Sequence, residues 1–179
     1  NKPEGFITTT KDVSNRPTVI DLLPRNIKAT IFPVGRLDFL TSGLILLTND
    51  GDLSYRLAHP KFEVSKTYVA TLDQDVKEQD LVTIAKGLHL HDGFIKADRV
   101  EFVARNHKRK VLLEIHSGKN RIIRRIFAHL GNNVTSLERV GFAGLSAAGL
   151  ELGCYRFLTK VEIASLVQQS LVVKNPATG

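Results

Sequence analysis

The chain has 179 residues, 42% hydrophobic and 24% charged, with one cysteine. That fits one domain with a substantial core, and it excludes an internal disulfide framework, a cysteine zinc cluster and, since no apolar run reaches about 18 residues, a membrane-spanning helix. The net charge of +7 favours a polyanionic partner, because lysine and arginine on phosphates release condensed counterions.

Residues 6–10 read as a short strand, Asn15-Arg16-Pro17 as a turn, and residues 19–23 as a helical turn stopped by Pro24. Residues 31–34 read as a strand, 35–43 as a loop, and 44–48 as a continuous apolar strand of the kind buried on both faces. Asn49-Asp50-Gly51 supplies turn chemistry, and a short helix over 52–58 ends at His59-Pro60. Residues 65–72 form a strand with Lys66, Tyr68, Ala70 and Leu72 on one face and Thr67, Val69 and Thr71 on the other. A helix over 76–86 follows, with Asp75 and Glu78 as a capping box and Gly87 as its stop.

Short strands are expected at 88–90, 95–97, 99–104 and 110–116, with a basic hairpin tip over 106–109. A helix over 121–130 closes at Gly131, and strands at 134–140 and 154–158 come next. The last helix opens at Thr159 with Glu162 three residues on, a second capping box. Strands outnumber helices and several are joined by hairpin-length turns, which argues an α+β domain with a mixed, mostly antiparallel sheet flanked by helices. Cys154, alone, is expected as a small buried side chain in a reducing compartment. The chain starts at Asn1 and contains no Met, so a preceding segment is expected.

Three constellations can carry chemistry. Gly35-Arg36-Leu37-Asp38 places an acid two residues from a base in a loop between apolar strands. Read alone, Asp38 suits a reactive role or that of a turn residue bonding its own backbone, and the turn role is the commoner. In Gly118-Lys119-Asn120-Arg121-Ile122-Ile123-Arg124-Arg125, at about 100° per residue, Ile122, Ile123, Ile126, Phe127 and Leu130 form an apolar arc opposite Arg121, Arg124 and Arg125. Arginines at a helix start oppose the dipole, which an RNA phosphate or a carboxylate such as Asp38 would resolve. Lys66-Thr67-Tyr68 offers an aromatic ring for a flipped base, or a core tyrosine. His89 and His91 lack a third partner, so no metal is expected. Gly118-Lys119 lacks the spacing of a phosphate-binding loop, and no dinucleotide fingerprint is present.

Taken in order, these stretches resemble the RsuA-like family of bacterial ribosomal RNA pseudouridine synthases, particularly its large-subunit (RluB/RluE/RluF-type) members. The resemblance rests on Asn1-Lys2-Pro3-Glu4-Gly5, on residues 35–48, on Thr48-Asn49-Asp50-Gly51-Asp52-Leu53, on His59-Pro60, on Lys66-Thr67-Tyr68, on residues 118–127 and on Gly153-Cys154-Tyr155-Arg156. It implies a catalytic domain over 1–170, with lobes of about 1–75 and 76–170 around a central cleft and a tail over 171–179, and an RNA-binding domain that many relatives carry before this point is expected to be absent or removed. It further implies isomerisation of a uridine in RNA, most of all large-subunit ribosomal RNA, without cofactor, metal or membrane, by a cytoplasmic monomer.

By the same resemblance Asp38 is the catalytic aspartate, Tyr68 packs on the target base and Arg124 pairs with the aspartate. Arg36 fills the space left by the flipped nucleotide, and Lys66, Lys119, Arg121 and Arg125 join it in holding RNA. An ion pair between Asp38 and Arg124 is the sharpest structural expectation. The alternatives are a non-catalytic RNA-binding or ribosome-assembly protein and a metal-dependent nuclease.

Overall fold

The computed structural model describes residues 1–171, so the tail expected from 171 onward lies, past that residue, outside the described residues. Ten strands are β1 (Phe32–Pro33), β2 (Ser42–Gly43), β3 (Leu47–Thr48), β4 (Lys66–Leu72), β5 (Leu88–Leu90), β6 (Gly93–Ile95), β7 (Arg99–Phe102), β8 (Lys110–Ile115), β9 (Val134–Phe142) and β10 (Leu145–Ser146). Four helices are α1 (Gly51–Ala58), α2 (Glu78–Lys86), α3 (Ile122–His129) and α4 (Lys160–Leu171).

The main sheet runs β10-β9-β4-β8-β7, antiparallel throughout, with β2 added parallel to β9. Two small antiparallel ribbons, β1–β3 and β5–β6, flank it. The α+β class with a mixed, mostly antiparallel sheet is what the strand count and hairpin spacing led one to expect.

β4 sits at the centre, between β8 and β9. Its alternation sorts the molecule: Ala70 and Leu72 enter one core with the apolar arc of α3 (Ile122, Ile123, Ile126, Phe127) and the inward residues of β8. A second core joins Val34, Leu44, Leu46 and Leu57 to Phe142, Leu145 and Leu166. The second half of the chain therefore returns to complete the first lobe, across the boundary expected near residue 75.

Local polar chemistry explains most helix ends. The Asp50 carboxylate accepts from Leu53 N at 2.9 Å, starting α1. Thr159 and Glu162 exchange backbone and side-chain bonds of 2.8 and 3.2 Å ahead of α4. The other box fails: α2 starts after Lys77, whose N–H meets Asp80, because Asp75 is taken by Arg109 at 3.0 Å.

Four further expectations change. Residues 6–10 form no strand beyond an Ile7–Thr18 bridge, since side chains satisfy that backbone and its surroundings: Lys2 Nζ donates to the carbonyls of Pro3 and Phe6 at 2.9 and 3.0 Å. Of the run over 44–48 only Leu47 and Thr48 are strand, paired with β1, while Leu44 N donates to the Arg139 carbonyl of β9. Residues 154–158 are irregular, and Cys154 is exposed rather than buried. Among the described residues no helix is long and apolar enough to cross a membrane.

Candidate active site

The loop after β1, the start of β4, the middle of β9 and the approach to α3 enclose an open cleft of about 360 Å³, lined by Arg36, Asp38, Lys66, Tyr68, Arg121 and Arg139 among others. That is the size of a small-molecule or nucleobase site. A loop can hold a reactive group only if its own backbone is fixed, and here it is. Thr8 Oγ1 donates to the Leu37 carbonyl at 2.9 Å and accepts from Leu37 N at 3.1 Å. Gly5 N donates to the Phe39 carbonyl at 2.9 Å, and Thr41 N to the Asp38 carbonyl at 3.0 Å. Arg124 Nη2 donates to the Leu40 carbonyl at 3.0 Å. Four successive residues, 37–40, are clamped by the 5–8 segment, by α3 and by the loop's own Thr41. Beside Asp38, Phe39 and Leu40 stand 44% and 56% exposed.

The ion pair expected with Arg124 is made by Arg121 instead, with Nη1 3.6 Å from Asp38 Oδ2. The reason is backbone geometry. Arg121 is not the first helical residue but the N-cap of α3, at φ 48 and ψ 32, in the left-handed region. Non-glycine residues rarely adopt it and pay strain there, which often marks a functional position. Arg124 turns to the protein itself: Nη1 donates to the Val134 carbonyl at 2.7 Å while Nη2 holds Leu40. Burial lowers its pKa first, then neighbouring Arg121, against the pull of Asp38 and Glu4. Arg124 thus stands behind the loop, as its clamp.

Other residues expected on RNA are also engaged. Lys119 Nζ donates to the Asp92 carbonyl at 2.7 Å, and Arg125 Nη2 meets the Asp92 carboxylate at 2.9 Å, so both hold the β5–β6 turn. Lys66 Nζ donates to the Val64 carbonyl at 2.9 Å and the His116 carbonyl at 3.5 Å. Burial, with Arg139 nearby, pushes its pKa down to about 8. Arg36 is exposed at the cleft wall.

Two residues went unremarked as site candidates in the sequence. Lys2 is fully buried; desolvation pushes it down to about 8, partly opposed by Glu4 and Asp38. Arg139 is buried as well, its Nε donating to the Leu44 carbonyl at 2.8 Å and its guanidinium lying 4.7 Å from the Phe142 ring centroid. Its signal was present: Leu137 and Arg139 share a face of β9, and Leu137 is core. A charge at such a position was legible as inward-pointing.

The cleft therefore joins an acid on a rigid loop, a cation on that acid and a tyrosine ring, open to solvent on one side. Such a set can hold a planar base against Tyr68 and act on the sugar attached to it. Comparison with known proteins identifies the family. Residues 1–129 match the family described as RNA pseudouridylate synthase. The chain is 38% identical over 168 residues to ribosomal large subunit pseudouridine synthase B of Bacillus subtilis (strain 168), covering 92% of this chain and 68% of that protein. It is 36% identical over 170 residues to ribosomal small subunit pseudouridine synthase A of Escherichia coli (strain K12), covering 93% and 72%. A crystal structure of a pseudouridylate synthase superimposes with a TM-score of 0.83 at 34% identity, over 93% of this chain and 71% of that one.

Proposed function

The chain belongs to the RNA pseudouridylate synthase family, and from that premise we propose that it isomerises a uridine of ribosomal RNA, large-subunit RNA first, with Asp38 as the acid that acts at the sugar. The bond from ribose C1′ to ring N1 breaks, the uracil turns in the cleft, and C1′ is rejoined to ring C5. The proton on C5 leaves as that bond is made permanent, and N1 ends protonated. Composition is unchanged, so no external reactant is needed. The target atoms are hidden in a stacked helix, so the uridine must be extruded first.

The observation that carries this reading is the company Asp38 keeps: an acid on a clamped loop, 3.6 Å from Arg121, in the same cleft as Tyr68. An acid at a polyanion-binding surface repels its ligand unless it serves chemistry. As a nucleophile the carboxylate would add to C1′; as a base it would take a sugar proton. Tyr68 packs on the turning base. Arg124 serves the aspartate by holding its loop, and Arg36, exposed beside the cleft, reaches the RNA. The protein acts as a monomer, which light scattering would test.

The direct test uses RNA labelled with tritium at uridine C5. Isomerisation expels that label into water. Release from large-subunit ribosomal RNA, with less from small-subunit and transfer RNA, is the expected result. Binding to these RNAs without any release would instead mark a non-catalytic RNA-binding protein.

A further inference from the structure

Among the described residues Arg139 heads the fully buried side chains by volume, and no carboxylate among them acts on its charge. Burial disfavours the charge, and among the described residues Tyr68 opposes that. Burying a cation without a counter-charge is costly, so the residue needs a reason to be there. Three observations narrow what the residue does. Its Nε is fixed on the carbonyl of Leu44, where the loop bearing Asp38 rejoins the sheet. It lies directly opposite Tyr68 in the antiparallel register of β4 and β9, beside a register shift between Thr67 and Tyr68. Its Nη2 is buried without a hydrogen-bond partner. A directly opposed cross-strand pair brings side chains on one face together, and both side chains reach the cleft wall.

We propose that Arg139 is the positioning residue for Tyr68, an inference that rests on the function proposed above. In this proposal the unpartnered Nη2 is the nitrogen that serves the phenol oxygen as donor. A phenol that accepts there must aim its own O–H elsewhere, and the open direction is the cleft. Arg139 thereby sets where the Tyr68 donor points and holds the ring over the space in which the detached uracil turns. Because the same guanidinium grips Leu44, it ties the position of the tyrosine to that of the aspartate loop. The planar fork matters: one nitrogen holds the loop while another serves the phenol, which a lysine ammonium at the same depth cannot reproduce in geometry.

A double-mutant cycle with Arg139→Lys and Tyr68→Phe tests this, read as the single-turnover rate of tritium release and as RNA half-saturation. Arg139→Lys should slow the rate roughly 10- to 100-fold, the range of one charge-assisted hydrogen bond, with RNA half-saturation held within about threefold. In the Tyr68→Phe background the same change should cost less than about threefold, because the hydroxyl it serves is gone. Equal losses in both backgrounds would show a purely structural role and overturn the proposal. Should Arg139→Lys fail to fold, Arg139→Gln takes its place in the same cycle: a loss that shrinks below about threefold in the Tyr68→Phe background supports the proposal, and equal losses overturn it. Either failure is distinct from failure of the functional reading, in which the wild-type protein itself releases no tritium.

Discussion

Replacing Gly43 by alanine should damage this protein far more than replacing Gly35, although both glycines adopt positive φ in the same loop. At Gly35, φ is +69 and an added Cβ meets nothing within 4 Å. The cost is the left-handed strain, about 1–2 kcal/mol, offset by about 0.4–1 kcal/mol from a less flexible unfolded chain. At Gly43, φ is +109 and the Cβ would lie 2.3 Å from the Arg139 carbonyl oxygen and 2.6 Å from its nitrogen. Carbon and oxygen normally stay about 3.3 Å apart, so β2 and β9 must part by roughly 1 Å. That breaks the 2.7 Å bond from Leu44 N to the Arg139 carbonyl, leaving a buried group unpaired at about 1–3 kcal/mol. Backbone strain adds about 1–3 kcal/mol. The sum is about 2–6 kcal/mol, and for a chain of this size each kcal/mol moves Tm by about 2–4 °C. Thermal melts followed by circular dichroism should therefore place Gly43→Ala on the order of 10 °C or more below wild type, with Gly35→Ala within a few degrees. Equal melts for the two variants would refute the claim that the close approach of β2 and β9 fixes the loop.

Arg121→Asn should relieve left-handed strain, since asparagine tolerates φ near 48, and lose only a half-exposed ion pair worth about 0–1 kcal/mol. Tm should hold or rise while tritium release falls at least tenfold; a parallel loss of both would contradict a strained residue kept for the site. Lys2 and Lys66 are both pushed from 10.5 down to about 8 in the folded protein. Between those values the unfolded chain binds more protons, so their share of stability grows as pH rises through that window and is constant below it. Urea unfolding across that window should show a flatter rise in Lys66→Met than in wild type, and an identical slope would remove Lys66 from the account.

Much of the site was legible because local pattern and tertiary contact agree there. The alternation of β4 put Lys66 and Tyr68 on one face, and both line the cleft. The apolar arc of α3 is buried as its spacing requires. What was not legible depends on backbone turns or on distant partners. The wheel treated Arg121 as helical, whereas its left-handed cap geometry gives it the place expected of Arg124. Lys119 and Arg125 looked free because Asp92 lies about 30 residues away in sequence. The apolar run over 44–48 promised one strand, but no single neighbour pairs with all of it. Arg139 reaches its role through a register between β4 and β9 that alternation alone does not specify.

The most direct test of the central claim is Asp38→Asn, which keeps the shape of the side chain and removes its charge. Tritium release from C5-labelled ribosomal RNA and RNA affinity by filter binding should be measured on one preparation. Release should fall to background while affinity holds or rises, since a negative charge has left an RNA-facing cleft. Release at the wild-type rate would contradict Asp38 as the acid that acts at the sugar.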